Sequence, residues 1–134
     1  MAQTDYKATG NIQSFRGLLA DGGQDKIRIQ GSVGAIAWRI TKFEIMANVY
    51  DVMDEYSVSI YREEQTAITK TFDFTEDELL AAAYFENQNV SRSGDKMVIF
   101  DNALFVRNIY ISLKSDNGNS CNYYIELEEV KVSK

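Results

Sequence analysis

The sequence predicts an all-β protein: one antiparallel β-sandwich domain over residues 1–134, jelly-roll-like, with seven to nine strands and one short helix. Three observations carry this expectation. Large apolar residues fall on every second position in several runs, the period of a strand with one buried face. Turn signals recur about every 8–15 residues. No regular alternation of strand with helix runs along the chain, as a parallel α/β sheet would require.

The elements follow in order. Residues 1–15 open the chain, and the mixed, polar stretch 4–15 reads as an edge strand or as an N-terminal arm lying over a neighbour. Asp21-Gly22-Gly23 is a turn signal. Residues 26–30 form a short strand with Ile27 and Ile29 inward, and Gly31-Ser32-Val33-Gly34 links it to the next. That next strand begins at Ile36 and changes parity. Ile36, Trp38 and Ile40 share one face, but Phe43 and Ile45 fall on the other. An extra residue at Thr41 or Lys42 restores a single apolar face, so a β-bulge is expected there. The alternative is a strand buried on opposite faces at its two ends.

Residues 46–55 read as a connection, and 56–62 as a strand with Tyr56, Val58 and Ile60 inward. Glu63-Glu64-Gln65 turns the chain into a weaker strand, 67–74, carrying Ile68, Phe72 and Phe74. Thr75 and Glu78 have the spacing of a capping box, and Leu79 through Phe85 are good helix formers. The single helix is therefore expected from Thr75 onward, plugging one end of the β structure. Residues 86–95 form a polar loop, 96–100 a short strand, and Asp101-Asn102 a turn. Residues 104–114 are a strand with Ile109, Ile111 and Leu113 inward. Asn117-Gly118 suits a hairpin turn that needs positive φ, and the closing strand is 122–132 with Tyr123, Ile125 and Leu127 inward.

The chemistry open to this chain is narrow. It has no histidine, no proline and one cysteine. Cys121 has no intrachain disulfide partner, and a Cys–His dyad or thiolate zinc site cannot form within one chain. Cys121 is expected to be a small, inert strand residue. Acid–base work would fall to carboxylates, Lys, Tyr or Cys, and the 20 acidic residues offer many pairs among which the sequence does not choose. No catalytic, cofactor-binding or metal-binding residue is assigned, and the expectation is a protein that is not an enzyme. Asp51, Asp54 and Glu55, and separately Asp116-Asn117-Gly118-Asn119, are the nearest approaches to a calcium loop. Neither has EF-hand spacing, and turns are rich in Asp and Asn for backbone reasons. Gly22-Gly23 and Gly31 to Gly34 lack the Gly-Lys-Ser/Thr ending of a phosphate loop.

Net charge is −6, with a pI near 4.6. That argues against direct nucleic-acid binding through phosphate neutralisation. The N-terminus lacks a signal-peptide core, and no apolar run is long enough to cross a membrane, so a soluble protein made in a cytoplasm is expected. Residues 51–86 hold two basic and ten acidic side chains, which accounts for all the excess charge. That stretch reads as a solvated surface or as a patch meeting a basic partner. Tyr61, Tyr110 and Tyr124 fall opposite the inward positions of their strands. If they share one sheet, they make an exposed aromatic surface of the kind used for protein contacts or carbohydrate stacking. Otherwise they lie singly at a rim.

Five segments carry a resemblance. They are residues 25–32 (DKIRIQGS), 36–40 (IAWRI), 79–84 (LLAAAY), 99–102 (IFDN) and 122–127 (NYYIEL). Together they resemble small all-β structural proteins of marine tailed-bacteriophage particles, such as head-decoration or minor capsid components. The resemblance covers roughly residues 10–130 and brings no chemical motif with it. It implies a virion structural protein, located in the particle, that decorates or cements the shell. Its partners would be the major capsid protein, other virion proteins and copies of itself as a homo-oligomer. Contact residues would be Thr4 and Tyr6 of the arm, with Tyr61, Tyr110 and Tyr124. Two other readings stay open. One is a carbohydrate-binding β-sandwich using the outward tyrosines. The other is a small carboxylate-based hydrolase, which would need two carboxylates about 5–10 Å apart in a pocket.

Overall fold

The computed structural model describes residues 5–29, 36–49, 52–87 and 96–133. These residues form eight strands and no helix. The strands are β1 (Asp5–Leu19), β2 (Gln24–Ile27), β3 (Ile36–Ala47), β4 (Asp54–Tyr61), β5 (Leu79–Asn87), β6 (Lys96–Phe100), β7 (Ile109–Ser115) and β8 (Cys121–Ser133). They build two antiparallel sheets, β1-β8-β3 and β2-β7-β4-β5-β6. The chain is an all-β sandwich. A jelly roll places its first, eighth, third and sixth strands in one sheet and its second, seventh, fourth and fifth in the other. Here only β6 departs from that order, pairing with β5 and not with β3.

The core lies between the two inward faces. From the five-stranded sheet come Tyr56, Val58 and Ile60 of β4, and Ile109, Ile111 and Leu113 of β7, all fully buried. From the three-stranded sheet come Trp38, Ile40, Phe43 and Ile45 of β3, and Tyr123, Ile125 and Leu127 of β8. The parity break in β3 is a bulge. Ile40 pairs with Leu127 and Lys42 with Glu126, which leaves Thr41 over. The Thr41 hydroxyl donates to the Glu126 carbonyl at 3.2 Å. One extra residue returns Phe43 to the core at 2% exposure.

The expected helix is a strand. Residues 74–78 make turns, with Glu76 N–H donating to Asp73 O and Leu79 N–H to Glu76 O. Asp73, not Thr75, is the local acceptor: it takes the Thr75 N–H and hydroxyl at 3.0 and 2.6 Å. Leu79 onward is β5, paired on both sides with β4 and β6. Leu80, Ala81, Ala82 and Ala83 are buried in succession. A strand covered on both faces loses its period of two, and tertiary pairing overrides helix propensity. The weaker strand expected over 67–74 is irregular chain.

Those residues belong to a long loop, 62–78, whose ends meet where Arg62 N–H donates to Glu78 O at 2.8 Å. The outward positions Ser112, Ser59, Ala82 and Ile99 are register neighbours across the five-stranded sheet, beginning beside Gln24 on β2. Ser57, Ser59, Ser112 and Ala82 are buried although they point away from the core. The loop is tied over this face. Gln65 N–H donates to the Gln24 side chain, and Gln24 Nε2 donates back to Gln65 O. Lys70 pairs with Asp116 at 2.6 Å. Phe72 and Phe74 line an apolar hollow with Ala82, Tyr84, Met97 and Ile99.

Besides the Lys96–Glu44 ion pair at 3.5 Å, two hydrogen-bonded side chains tie the sandwich together. Tyr123 reaches from β8 across the sandwich, and its hydroxyl donates to Asp25 of β2 at 3.0 Å. Its ring lies so close over Gly17 of β1 that a Cβ there would meet ring atoms at 2.9 Å. Glycine at 17 makes that crossing sterically open. The second tie is Asp54, described below.

Candidate functional site

The three outward tyrosines do not form one surface. Tyr61 and Tyr110 are direct cross-strand partners on β4 and β7, on the outer face of the five-stranded sheet. Tyr124 projects from β8, on the outer face of the other sheet. Its hydroxyl donates to Glu126 at 2.7 Å, and the Lys42 ammonium sits 5.7 Å from its ring centroid. The Glu126 hydrogen bond, with partial burial, raises the Tyr124 pKa. Tyr124 is thus occupied within its own sheet. Residues 5–15 form the edge strand of the three-stranded sheet, with Tyr6 paired to Val132, so the free-arm alternative is set aside for them. Thr4, the Gly31 to Gly34 link and Asp51 lie outside the described residues.

Beside the Tyr61–Tyr110 pair is an open hollow of about 360 Å³ lined by Arg62, Glu63, Arg107, Asn108 and Tyr110 among others. Two of these polar groups are already used internally. Arg62 donates to the Leu104 carbonyl at 2.7 Å, and the Asn108 side chain accepts the Ile29 N–H at 2.9 Å. Glu63 and Arg107 are exposed.

Sequence reasoning missed an apolar part of the surface. On β6 and the adjoining loop, Met97, Ile99 and Phe74 are 58%, 46% and 66% exposed. They border a hollow of about 120 Å³ on an edge strand, whose outer backbone side has no ladder partner among the described residues. The signal was present as the continuous apolar run Met97-Val98-Ile99-Phe100, but such a run alone reads as core. A second exposed pair, Leu18 and Met46, flanks Asn122 on the three-stranded sheet. It opens onto a shallow groove of about 650 Å³ that also meets Arg16, Glu44 and Lys96.

The two acidic turn clusters meet, and their chemistry is structural. Asp54, 2% exposed, accepts five hydrogen bonds: the N–H groups of Glu55, Asp116, Asn117 and Asn119, and the Asn119 side-chain amide. Burial pushes its carboxyl up. The bonds from Asn119, Asn117 and Glu55 outweigh burial and hold its pKa below the ordinary value. Both oxygens point at donors, so a cation would have to displace them. Among the described residues no cluster of three or more metal-ligating side chains occurs. Cys121 is fully buried, and burial pushes its thiol up to about 12, although its contact with the Met46 carbonyl opposes this. At neutral pH it is a thiol and not a nucleophile. Compared with known proteins, the chain matches no family, no curated protein and no solved structure.

Proposed function

We propose that this protein works by surface contact, as a structural component of a bacteriophage particle that decorates or cements the capsid shell. The observation that carries this reading is the exposed apolar strip at the β6 edge, where Phe74, Met97 and Ile99 stand in solvent beside an open strand edge. Such an edge is a template for an added strand from a partner, and neighbouring apolar residues supply specificity. The near jelly-roll strand order supports the reading by analogy, since that architecture recurs in viral capsid proteins. The segment resemblance supports it independently. The major capsid protein, other virion proteins or a second copy would sit on this edge. Many weak contacts on a symmetric shell would add up through avidity. The acidic loop 62–78 would face a basic part of the lattice.

The test is mass spectrometry of purified particles, followed by incorporation of a Met97→Asp/Ile99→Asp variant. The protein should be present at high, regular stoichiometry. The variant should keep its fold by circular dichroism and lose incorporation. A stable monomer that binds no capsid, with particles unchanged after gene deletion, would overturn the reading.

A second reading is favoured by one observation: Tyr61 and Tyr110 stand side by side next to polar Glu63, Arg107 and Asn108. An aromatic pair with polar neighbours suits a sugar ring, and jelly rolls also serve as lectins. Glycan-array binding lost in Tyr61→Ala and Tyr110→Ala, and retained in Tyr124→Ala, would select it.

A further inference from the structure

We propose that Asn117 is a site of spontaneous deamidation, and that its conversion loosens the corner where the chain passes from one sheet to the other. Of the asparagines in this chain, Asn117 alone is followed by glycine. Gly118 has φ +84, and nothing lies within 4 Å of the place a Cβ would occupy, so the attacking nitrogen is unhindered. Asp54 takes the N–H groups of Asp116, Asn117 and Asn119 and passes over that of Gly118. The reacting amide is exposed, and its Nδ2 donates to the Met53 carbonyl at 3.2 Å.

The reaction is balanced with water as the only co-reactant. Hydroxide removes the Gly118 amide proton, and the nitrogen attacks the Asn117 side-chain carbonyl carbon. The new C–N bond closes a succinimide ring, while the Cγ–Nδ2 bond breaks and ammonia leaves. Water then opens either ring carbonyl, giving aspartate or isoaspartate. Both products place a new negative charge beside Asp54 and Asp116. In the aspartate product the former amide donor presents oxygen to the Met53 carbonyl oxygen. Isoaspartate also lengthens the backbone inside a turn whose N–H groups are gathered on one carboxylate. These changes oppose the bonds that hold β4 to the β7–β8 turn, and that turn carries the chain from the five-stranded to the three-stranded sheet.

The test ages the full-length folded protein in mildly alkaline buffer, with peptide mapping and isoaspartate-specific methylation as readouts. Asn117 should convert several times faster than Asn102, Asn108 or Asn119. The product should elute as a more acidic species on ion exchange and melt several degrees lower than fresh protein. Asn117→Gln should remove the fast-forming acidic species. An intact Asn117 over a period in which the urea-unfolded chain converts would overturn the proposal. Conversion without any loss of Tm would overturn its structural half, and Asn117→Asp, made directly, checks that half without ageing.

Discussion

The three-stranded sheet turns its outward side chains to water, whereas the five-stranded sheet buries the middle of its outer face under residues 62–78 and leaves its β6 edge open. On the first, Lys42, Tyr124, Glu126 and the Arg39–Glu128 pair make a polar layer. On the second, Ser57, Ser59, Ser112 and Ala82 make a low floor on which a loop can lie. A sheet with one wet face keeps a period of two in its sequence. A sheet covered on both sides needs small residues outside and apolar ones inside, and its pattern flattens. The largest test of the comparison lies at the corner joining the sheets. Asp54→Ala should cost about 2–4 kcal/mol, because it takes the acceptor from the Asn117 and Asn119 N–H groups at once and leaves Asp116 N–H only the Glu55 carbonyl. Since the folded carboxyl titrates below its ordinary value, the unfolded chain takes up the proton first on acidification. Its contribution is present above the unfolded pKa and lost as pH falls through the folded one. Urea melts of wild type and Asp54→Asn should therefore converge in acid and diverge toward neutral pH. Parallel curves would mean that the carboxylate is not the fastener.

The same contrast explains what could be read in advance. Alternation in β3, β4, β7 and β8 exposed the fold class and the inward sets, and the parity slip placed the bulge at Thr41. The run Leu79 to Phe85 misled because its alanines are small for a two-sided reason, being pressed between the core and the covering loop. Alanine at a helix position and alanine on a covered strand look alike in sequence. The Tyr61–Tyr110 pairing was legible only as a condition, since periodicity gives a face but not the neighbouring strand. Asp54 and the Asn117 turn each read as an acidic loop in the sequence. That they are one structure, across 63 residues of sequence, was not legible.

Two matched substitutions sharpen the difference between outer faces. Ala82→Leu adds bulk beneath Phe72 and Phe74 and should cost about 1–3 kcal/mol through overpacking. Ser14→Leu makes a similar enlargement on the exposed face of β1, losing only a solvent-exposed hydrogen bond to Tyr124, and should cost less than about 1 kcal/mol. Chemical denaturation of both variants compares them directly, and equal costs would show that the loop is not packed on its sheet.

Two buried tyrosines divide in the same manner. Tyr56 stacks on Phe85, ring centroids 6.0 Å apart, and its hydroxyl finds no partner among the described residues. Tyr123 donates to Asp25 across the core. Removing an unsatisfied hydroxyl relieves a desolvation penalty, while removing a satisfied one strands its acceptor. Tyr56→Phe should be neutral or stabilising by up to about 1 kcal/mol, and Tyr123→Phe destabilising by about 1 kcal/mol. Opposite signs in thermal melts would bear this out.

The smallest expected effect belongs to the wet face itself. Arg39 and Glu128 are cross-strand partners, with Nη2 and Nε of the arginine 2.6 and 3.0 Å from one carboxylate oxygen. Their side chains are 35% and 15% exposed, so water and salt still reach them. Such pairs contribute about 0.2–1 kcal/mol, and less as ionic strength rises. A double-mutant cycle with Arg39→Ala and Glu128→Ala should return a coupling in that range that shrinks in molar salt. If the coupling were large and insensitive to salt, this face would be shielded from solvent in the folded protein. The contrast with the covered sheet would then fail, and a partner or a further part of the chain would have to be sought over β3 and β8.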